Sequence, residues 1–345
     1  MGNRKAPAGE LPTTAEGFAG ALLAAARAGA DARWLAPGFE LSGELVRGAE
    51  LAVRPLLDRA HRGGWPPEDL RQAASRRVDE FACSYLLDAG PHLAQWAAKH
   101  ILTPAEAVTA VVDAMGLLLT LPVSGTAPQP AGRHGVDDKK LSRVRALLAK
   151  AESSSFPDEA EALSAKAQEL MTRHALDRVL VTAGQELPSS RRIWLDTPYT
   201  DAKSLLVDVV AKANRCRAVF DPRWDFVTVV GDDLDAVTLL TTSLLVQATR
   251  AMIADPAGRS RPFRKSFLVA YATRIGERLE QAAAATLTAT PGADRLLPAL
   301  ASHDLRVNTA FTTLFPQVVG KSVTVRSAEG WDAGRSAADR ARLGE

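Results

Sequence analysis

The sequence predicts a mainly α-helical protein with a small α+β part towards its C-terminal end. Over most of the 345 residues, apolar positions recur every three or four residues, as on the buried face of a helix. The period shortens over residues 216–230, where two β-branched and aromatic runs flank a turn. We expect an N-terminal helical domain, a Pro- and Gly-rich linker, a central αα-hairpin and an α+β companion domain with a β-hairpin, over residues 1–121, 122–136, 137–180 and 190–345 respectively.

The composition is that of a globular protein without bulk charge. Apolar residues make up 46% and charged residues 24% of the chain, and 42 basic against 40 acidic residues leave a net charge of +2. Any attraction to nucleic acid must therefore come from a local patch. The two cysteines, Cys83 and Cys216, lie in helix and strand patterns, so a disulfide framework is not expected and a reducing compartment fits better.

The sequence also predicts a soluble cytoplasmic protein that does not enter a membrane. The N-terminus lacks the apolar run of a secretory signal. The most apolar window, Ala105–Val123, contains Glu106 and Asp113, which favours a buried helix over a membrane span.

Gly and Pro residues divide the N-terminal part into successive predicted helices. The first follows Thr13 and ends near Gly29, where a left-handed C-cap is expected. Two more are predicted over residues 42–60 and from residue 68 to about 85. The clearest start signal is Thr103-Pro-Ala-Glu106, in which Thr and Glu complete a capping box.

Large side chains in this part have simple structural interpretations. Trp65 and Trp96 would be able to stack on a ligand, but large aromatics are more often buried, and we predict core positions for both. The histidines His61, His92 and His100 do not have the spacing of a metal-ligand motif.

The central hairpin has the most regular periodicity of the chain. Three serines at 153–155 favour a turn between its two helices, and Pro157 suits the first position of the second helix. We expect one small core, docked on a neighbouring domain because two helices alone bury too little apolar surface. Its predicted residues are Leu141, Val144, Leu148, Leu163, Leu170 and Met171.

The hairpin resembles a known family through three runs: VRALLAKAES from Val144, DEAEAL from Asp158 and KAQELM from Lys166. This is the bacterial and phage domain-of-unknown-function family numbered twenty-seven eighty-six. Further runs resemble long bacterial members of the family, at Gly64–Leu70, Ser266–Leu279 and Ala328–Leu343. The resemblance implies a shared architecture and no particular activity, so it assigns no catalytic residue.

After the hairpin, residues 182–192 are predicted as a loop and residues 201–214 as a helix. An antiparallel hairpin is expected from strands at 216–220 and 224–230. Near the C-terminus, helices are predicted over 295–315 and 331–343, with a third strand or an extended loop at 318–325 between them.

An acidic cluster follows the second strand of the β-hairpin. Asp232, Asp233 and Asp235 suggest a metal site, but one acidic cluster without further ligands is weak support for that hypothesis. The favoured interpretation is that Asp232 caps a helix beginning near Asp233.

The most basic stretch lies between residues 259 and 278. Six cations are opposed there only by Glu277, and aromatic residues interleave with them at helical spacing. Cations that contact phosphates and rings that stack on bases are typical of a nucleic-acid-binding surface. The alternatives are a solvated charged face and arginines paired with nearby acids. The candidate nucleic-acid-binding residues are Arg259, Arg261, Arg264, Lys265, Arg274 and Arg278.

Three classes of function follow from the sequence. We expect a non-catalytic protein and rank nucleic-acid association first, with a partner-binding scaffold as the alternative. A hydrolase of unrecognised type is the third, with Glu152, Glu159 and His174 as candidate groups. The sequence contains no zinc signature, phosphate loop or nucleophile elbow, so neither a metal nor a cofactor is predicted.

Overall fold

The computed structural model describes residues 10–88, 93–122, 142–150, 166–167, 169–173, 188–290, 293–320 and 323–341. The chain divides into two compact units, Met1–Ala127 and Pro128–Glu345. Helices dominate both units, and a three-stranded antiparallel sheet lies in the second. The predicted fold class, mainly α with a small α+β part, is confirmed.

The first unit consists of helices joined by short connections. Its core contains Leu22, Leu45 and Met115, none of them more than 1% exposed. The helices are α1 (Ala15–Ala28), α2 (Gly43–Arg62), α3 (Pro67–Arg77), α4 (Glu80–Leu87), α5 (Leu93–Lys99) and α6 (Pro104–Thr120), with a 3-10 turn at Arg33–Leu35.

Two local signals in this unit are confirmed. The Thr103 side chain accepts the Glu106 N–H at the start of α6, and the Glu106 carboxylate accepts the Thr103 N–H, which is the predicted capping box. Gly29 ends α1 in the left-handed conformation, with φ of 59°.

The prediction of one helix over residues 68–85 is wrong. The helix ends at Arg77, Val78 is extended, and α4 begins after Asp79. The Asp79 carboxylate accepts the Ala82 N–H and satisfies a free donor of the new helix. The apolar spacing runs through the break because both helices bury the same side, so periodicity alone could not locate it.

Trp65 and Trp96 are core residues, as predicted. Trp65 is fully buried and its indole N–H donates to the Pro122 carbonyl at 2.8 Å. Trp96 is 1% exposed and lies edge-on to Tyr85. Both rings are therefore packed and are not available to stack on a ligand.

The second unit combines the sheet with five helices after residue 188, in addition to the helical residues of the central hairpin. The strand order is β1-β3-β2, and the central strand β3 is buried along its whole length. The elements are β1 (Ser189–Trp194), α7 (Thr200–Ala213), β2 (Arg217–Asp221), β3 (Phe226–Gly231), α8 (Leu234–Ala254), α9 (Arg261–Thr288), α10 (Ala293–Leu314) and α11 (Ala328–Asp339).

The predicted β-hairpin is confirmed as β2 and β3, but the loop predicted over residues 182–192 includes the start of a strand. Strand β1 pairs antiparallel with β3, with Ser189 opposite Gly231 and Trp194 opposite Phe226. Its polar sequence, SSRRIW, lacks the apolar alternation of a typical strand. Pairing with the buried β3 determines its conformation instead. The described part of residues 318–325 contains no strand, so the alternative of an extended segment holds there.

The described part of the central hairpin, which resembles the known family, is helical and packs into the second unit. Residues 142–150 and 169–173 are helical. Val144, Leu148 and Met171 are at most 4% exposed and belong to the same hydrophobic core as β3 and α9. The predicted docking of the hairpin core on a neighbouring part of the chain is confirmed for these residues. Leu170 packs against the core while partly buried, and Leu141 and Leu163 lie outside the described residues.

Helix α9 lies at the centre of the second unit, between two helices that run in the same direction. Along α7, Asp201 contacts Lys265 and Val209 faces Gly276. Along α11, Gly330 faces Phe263 and Gly334 faces Phe267. Both α7 and α11 therefore run parallel to α9. A side chain on either glycine of α11 would collide with the backbone of α9, so small residues permit this close packing.

Helix α8 is long and apolar enough to cross a membrane by length and composition, and the bent pair α5 and α6 passes the same test together. Within the described residues, 44% of the apolar window of α8 is buried inside the protein. Leu240, Leu244 and Ala248 of this helix belong to the core, each at most 1% exposed. One side of this helix therefore contributes to the core of the second unit.

Candidate functional site

The six basic residues predicted to bind nucleic acid lie on or just before α9, but they do not share one free surface. Arg259 and Arg261 are exposed at the beginning of the helix. The other four are partly buried, and each contacts a group of the same chain. The structure therefore brings Arg259 and Arg261 together and separates them from the rest.

Two of these four cations form ion pairs with neighbouring helices. The Lys265 ammonium lies 2.6 Å from the Asp201 carboxylate of α7. The Arg274 guanidinium contacts Glu277 at 2.8 Å and Asp339 of α11 at 2.5 Å. The hydrogen bonds from Arg274, followed by those from Arg335, lower the pKa of Glu277 and keep it ionised. These cations join helices and carry little free charge to the surface.

The remaining two donate to backbone carbonyls. Arg278 donates to the carbonyls of Ala338, Asp339 and Ala341, where α11 ends. A cation at this position satisfies the last carbonyls of the helix and interacts favourably with its dipole. Arg264 donates through Nε to the Gly258 carbonyl.

The aromatic residues between these cations are in the core. Phe263, Phe267 and Tyr271 are each 1% exposed, and successive rings stack at about 6 Å between centroids. They cannot stack on bases, so any contact with nucleic acid at α9 depends on its cations.

Four exposed arginines lie near the end of α8, at the start of α9 and just before α11; we call this set the arginine corner, and it consists of Arg250, Arg259, Arg261 and Arg326. Within the described residues, none of the four side chains makes a hydrogen bond or an ion pair. Gly258 packs against the Met252 carbonyl, which holds the chain before α9 beside the last turn of α8.

The arginine corner extends to the segment before α11. The backbone N–H of Arg326 donates to the Ser266 side chain of α9 at 3.1 Å, which holds this segment beside the first half of α9. The first turn of α9 contains no acidic residue, and Ser260 caps it through the Phe263 N–H. The partial positive charge of the helix N-terminus thus adds to that of the arginines.

A second polar cluster connects α10 with the ends of the sheet; it consists of Asp232, His303, Asp304, Arg215 and Arg306. His303 is 7% exposed, and its Nε2 lies 3.0 Å from Asp232 Oδ2. Its Nδ1 lies 3.5 Å from Asp304 Oδ1, an ion-pair distance at which no well-formed hydrogen bond is made. Arg306 also contacts Asp232, and Arg215 contacts Asp304 at 2.7 Å.

The electrostatics of this cluster favour a protonated histidine between two carboxylates. The hydrogen bond to Asp232 is the main cause that raises the pKa of His303, and the nearby Asp304 carboxylate adds to it. Burial alone would raise the pKa of Asp304, but His303 and Arg215 outweigh it and lower that pKa. With His303 protonated, each carboxylate has a cation on either side.

The sequence prediction for the acidic cluster after β3 needs correction. Asp233, not Asp232, occupies the N-cap of α8, and its side chain accepts no capping hydrogen bond. Asp232 is directed to His303 and Arg306 of α10, and Asp235 pairs with Arg191 of β1 at 2.5 Å. Among the residues that the structure describes, no three His, Cys, Asp or Glu side chains lie close enough to hold a metal ion.

A cleft of about 470 Å³ opens beside the polar cluster. Its walls come from the turn between α7 and β2, the second half of α9, and α10; Thr172 of the family-like hairpin also borders it. The α7–β2 turn and α10 contribute most of its charged and amide groups, and α9 contributes Glu280 and small apolar residues. The lining residues used below are Arg215, Arg217, Asp304, Asn308, Glu280 and Leu287.

Cys216 borders the cleft but is not a reactive thiol. Burial, together with the charges of Asp233 and Asp232, raises its pKa to about 12. The thiolate that nucleophilic chemistry requires is therefore scarce near neutral pH. The hydrolase candidates Glu152, Glu159 and His174 lie outside the described residues.

The sequence comparison agrees with the resemblance in the central hairpin. Residues 139–178 match the family model described as protein of unknown function (DUF2786). No curated protein and no solved structure matches the chain. The DUF2786 segment thus contributes Thr172 to the border of the cleft and Val144, Leu148, Ala167 and Met171 to the core of the second unit. The match brings no assigned activity to either site.

Sequence reasoning found the arginines of the arginine corner on α9 but missed the polar cluster and the cleft. Asp232 and His303 are 71 positions apart, and no local spacing connects them. The available signal was a histidine, His303, among the buried positions Leu300, Val307 and Phe311 of a predicted helix. Such a histidine requires a partner when it is buried.

Proposed function

We propose that this protein associates with nucleic acid without marked sequence preference, and that its second unit does so through the arginine corner. The main support for this proposal is that the side chains of four exposed arginines make neither a hydrogen bond nor an ion pair within the described part of the chain. Guanidinium groups in this state are available to contact phosphates.

The surroundings of the arginine corner support the proposal. A helix N-terminus normally carries Asp or Glu in its first turn, whereas α9 carries Arg261 at its first position and no acid. This arrangement is electrostatically unfavourable in the isolated protein. A phosphate group at the corner would relieve it, since backbone N–H groups and cations then face the same anion. Lys265, Arg274 and Arg278 are not part of the proposed surface because groups within the chain already occupy them.

The test is a binding titration with single- and double-stranded DNA and RNA oligonucleotides at several salt concentrations. We expect similar affinity for different sequences and a steep loss of affinity with salt. The variant with Arg259, Arg261 and Arg326 changed to Gln should reduce the slope of log affinity against log salt by about two to three, because each phosphate contact contributes about 0.7 to 0.9.

The matched control carries the same loss of charge in the first unit, with Arg27, Arg54 and Arg59 changed to Gln; all three are exposed. This variant should keep both the affinity and the salt dependence of the wild type. The proposal fails if the wild-type protein binds no oligonucleotide at low salt. It fails equally if the control triple weakens binding as much as the triple in the arginine corner.

A further inference from the structure

The cleft contains one arginine, Arg217, whose side chain is held in position by its contacts but whose charge is not neutralised by a carboxylate of the described residues. Of its basic residues, Lys212 pairs with Asp208 and Arg215 pairs with Asp304, both at 2.7 Å. Arg217 has no carboxylate partner in the described part of the chain. It donates to the amide oxygen of Asn308, which is neutral.

The position of Arg217 is fixed by helix α10. Its guanidinium lies over the ring of Phe311, 4.7 Å from the centroid, and its NH1 group donates to Asn308 one turn earlier in the same helix. These two contacts orient the planar group and use few of its five N–H donors. The remaining donors form a fork that fits two oxygens of a carboxylate or a phosphate.

The turn before Arg217 is held in an unfavourable conformation. Arg215 has φ of 55°, in the left-handed region, at the position after α7 where glycine is usual. The Cys216 N–H donates to the Ala211 carbonyl and stabilises this turn. Non-glycine residues retained in this region occur preferentially at functional sites. Here the turn places both arginines in the wall of the cleft, and Arg215 holds Asp304 there.

The wall that α9 contributes has a different character. Glu280 is exposed and makes no hydrogen bond or ion pair within the described residues. One helical turn further, Ala283, Ala284 and Leu287 form an apolar surface. A ligand that complements both walls therefore has an anionic group at Arg217 and an apolar body along these small residues. A hydroxyl or amine group would suit Glu280.

We propose that this cleft is a binding site for a small organic anion that carries a phosphate or a carboxylate group, with Arg217 as the residue that binds the anionic group. The volume of about 470 Å³ falls within the range of small-molecule sites. The site is separate from the arginine corner and does not depend on binding of nucleic acid. It also places Thr172 of the DUF2786 segment at the border of a ligand site.

The experiment is a ligand-observed NMR titration of the full chain with phenyl phosphate, benzoate and benzyl alcohol. The first two distinguish a phosphate from a carboxylate, and the third has the ring without the charge. We expect saturable binding of at least one anion at up to roughly millimolar concentration and much weaker binding of the alcohol. Arg217→Gln should weaken binding of that anion at least about tenfold, because a charge-assisted bidentate contact is lost.

Two further variants make the result decisive. Arg223→Gln removes the same charge from the exposed β2–β3 turn and should leave the affinity within about twofold of the wild type. Ala284→Leu keeps Arg217 but fills the apolar wall at an exposed helical position, and it should also weaken binding about tenfold. Circular dichroism checks the fold, and Ala284→Leu decides alone if Arg217→Gln does not fold.

The proposal is overturned if neither anion binds saturably or if benzyl alcohol binds as tightly as both anions. It is also overturned if Arg223→Gln weakens binding as much as Arg217→Gln, or if Ala284→Leu leaves the affinity unchanged.

Discussion

Replacing Gly334 with alanine tests the close packing of α11 on α9. A Cβ atom at this position would lie 2.3 Å from the Phe267 carbonyl oxygen and 3.0 Å from the Ala270 Cβ. The first obstacle is backbone in a buried helix, so it cannot rotate away as a side chain would. The helices would have to separate by about 1 Å, the difference between this distance and an ordinary van der Waals contact of about 3.4 Å or more.

The expected change in the free energy of unfolding combines two opposing effects. Overpacking at a site of this kind destabilises by up to about 3 kcal/mol. Alanine is a better helix former than glycine by about 1 kcal/mol, which offsets part of that cost. We therefore expect the second unit of the Gly334→Ala variant to be less stable by about 2 kcal/mol.

The measurement is hydrogen exchange with mass spectrometry across a urea series, followed on peptides from α9 and α11. Gly20→Ala is the control, because Gly20 lies inside α1 and no heavy atom would contact its added Cβ within 4 Å. That substitution should stabilise the first unit by up to about 1 kcal/mol. A Gly334→Ala variant as stable as the wild type would refute the close approach of the two helices.

Two further predictions concern the second unit. The pKa of His303 is raised in the folded protein, so its ion pairs contribute fully below the unfolded pKa of about 6.5, and this contribution is lost as the pH rises through the folded pKa. The urea midpoint of the second unit should fall as the pH rises above about 6.5, and an unchanged fall in His303→Gln would contradict this origin. Leu148→Asp places a charge at a position that is 2% exposed and should destabilise the second unit by about 3 kcal/mol or more. Ala149→Asp, at the exposed neighbouring position, should cost about 1 kcal/mol or less in the same urea titration, and equal losses in both variants would show that burial of Leu148 is not the cause.

Features of the fold that depend on local signals could be predicted from the sequence. Thr103 and Glu106 form a capping box with each other, and Gly29 ends a helix by its own backbone freedom. Strand β1 could not be predicted, because its hydrogen-bond partner β3 lies more than thirty positions along the chain and supplies the driving force. The break at Asp79 was missed because a side-chain cap leaves apolar periodicity unchanged.

In the candidate sites too, local features could be predicted from the sequence and long-range contacts could not. The charge of the basic stretch was visible in the sequence, but the fate of each cation was not, since Asp201 and Asp339 lie 64 and 65 positions from their partners Lys265 and Arg274. These two cations can be excluded from the predicted binding surface only when the packing of α7, α9 and α11 is known. The cleft likewise depends on Arg217 meeting Asn308, 91 positions later. Long-range contacts of this kind leave no spacing that a single sequence reveals.

The shared core of the hairpin and the companion helices bears on how DUF2786 should be studied. The side chains of four residues in this segment are buried in the same core as β3 and α9: Val144, Leu148, Ala167 and Met171. The unit that folds cooperatively therefore extends beyond residues 139–178, to which the family match is limited. A peptide limited to residues 139–178 would expose this apolar surface to water and would be mostly unfolded, since short isolated helices are marginal. A negative binding result with such a peptide would describe an unfolded chain, and it would not inform on the family segment as it exists in this protein.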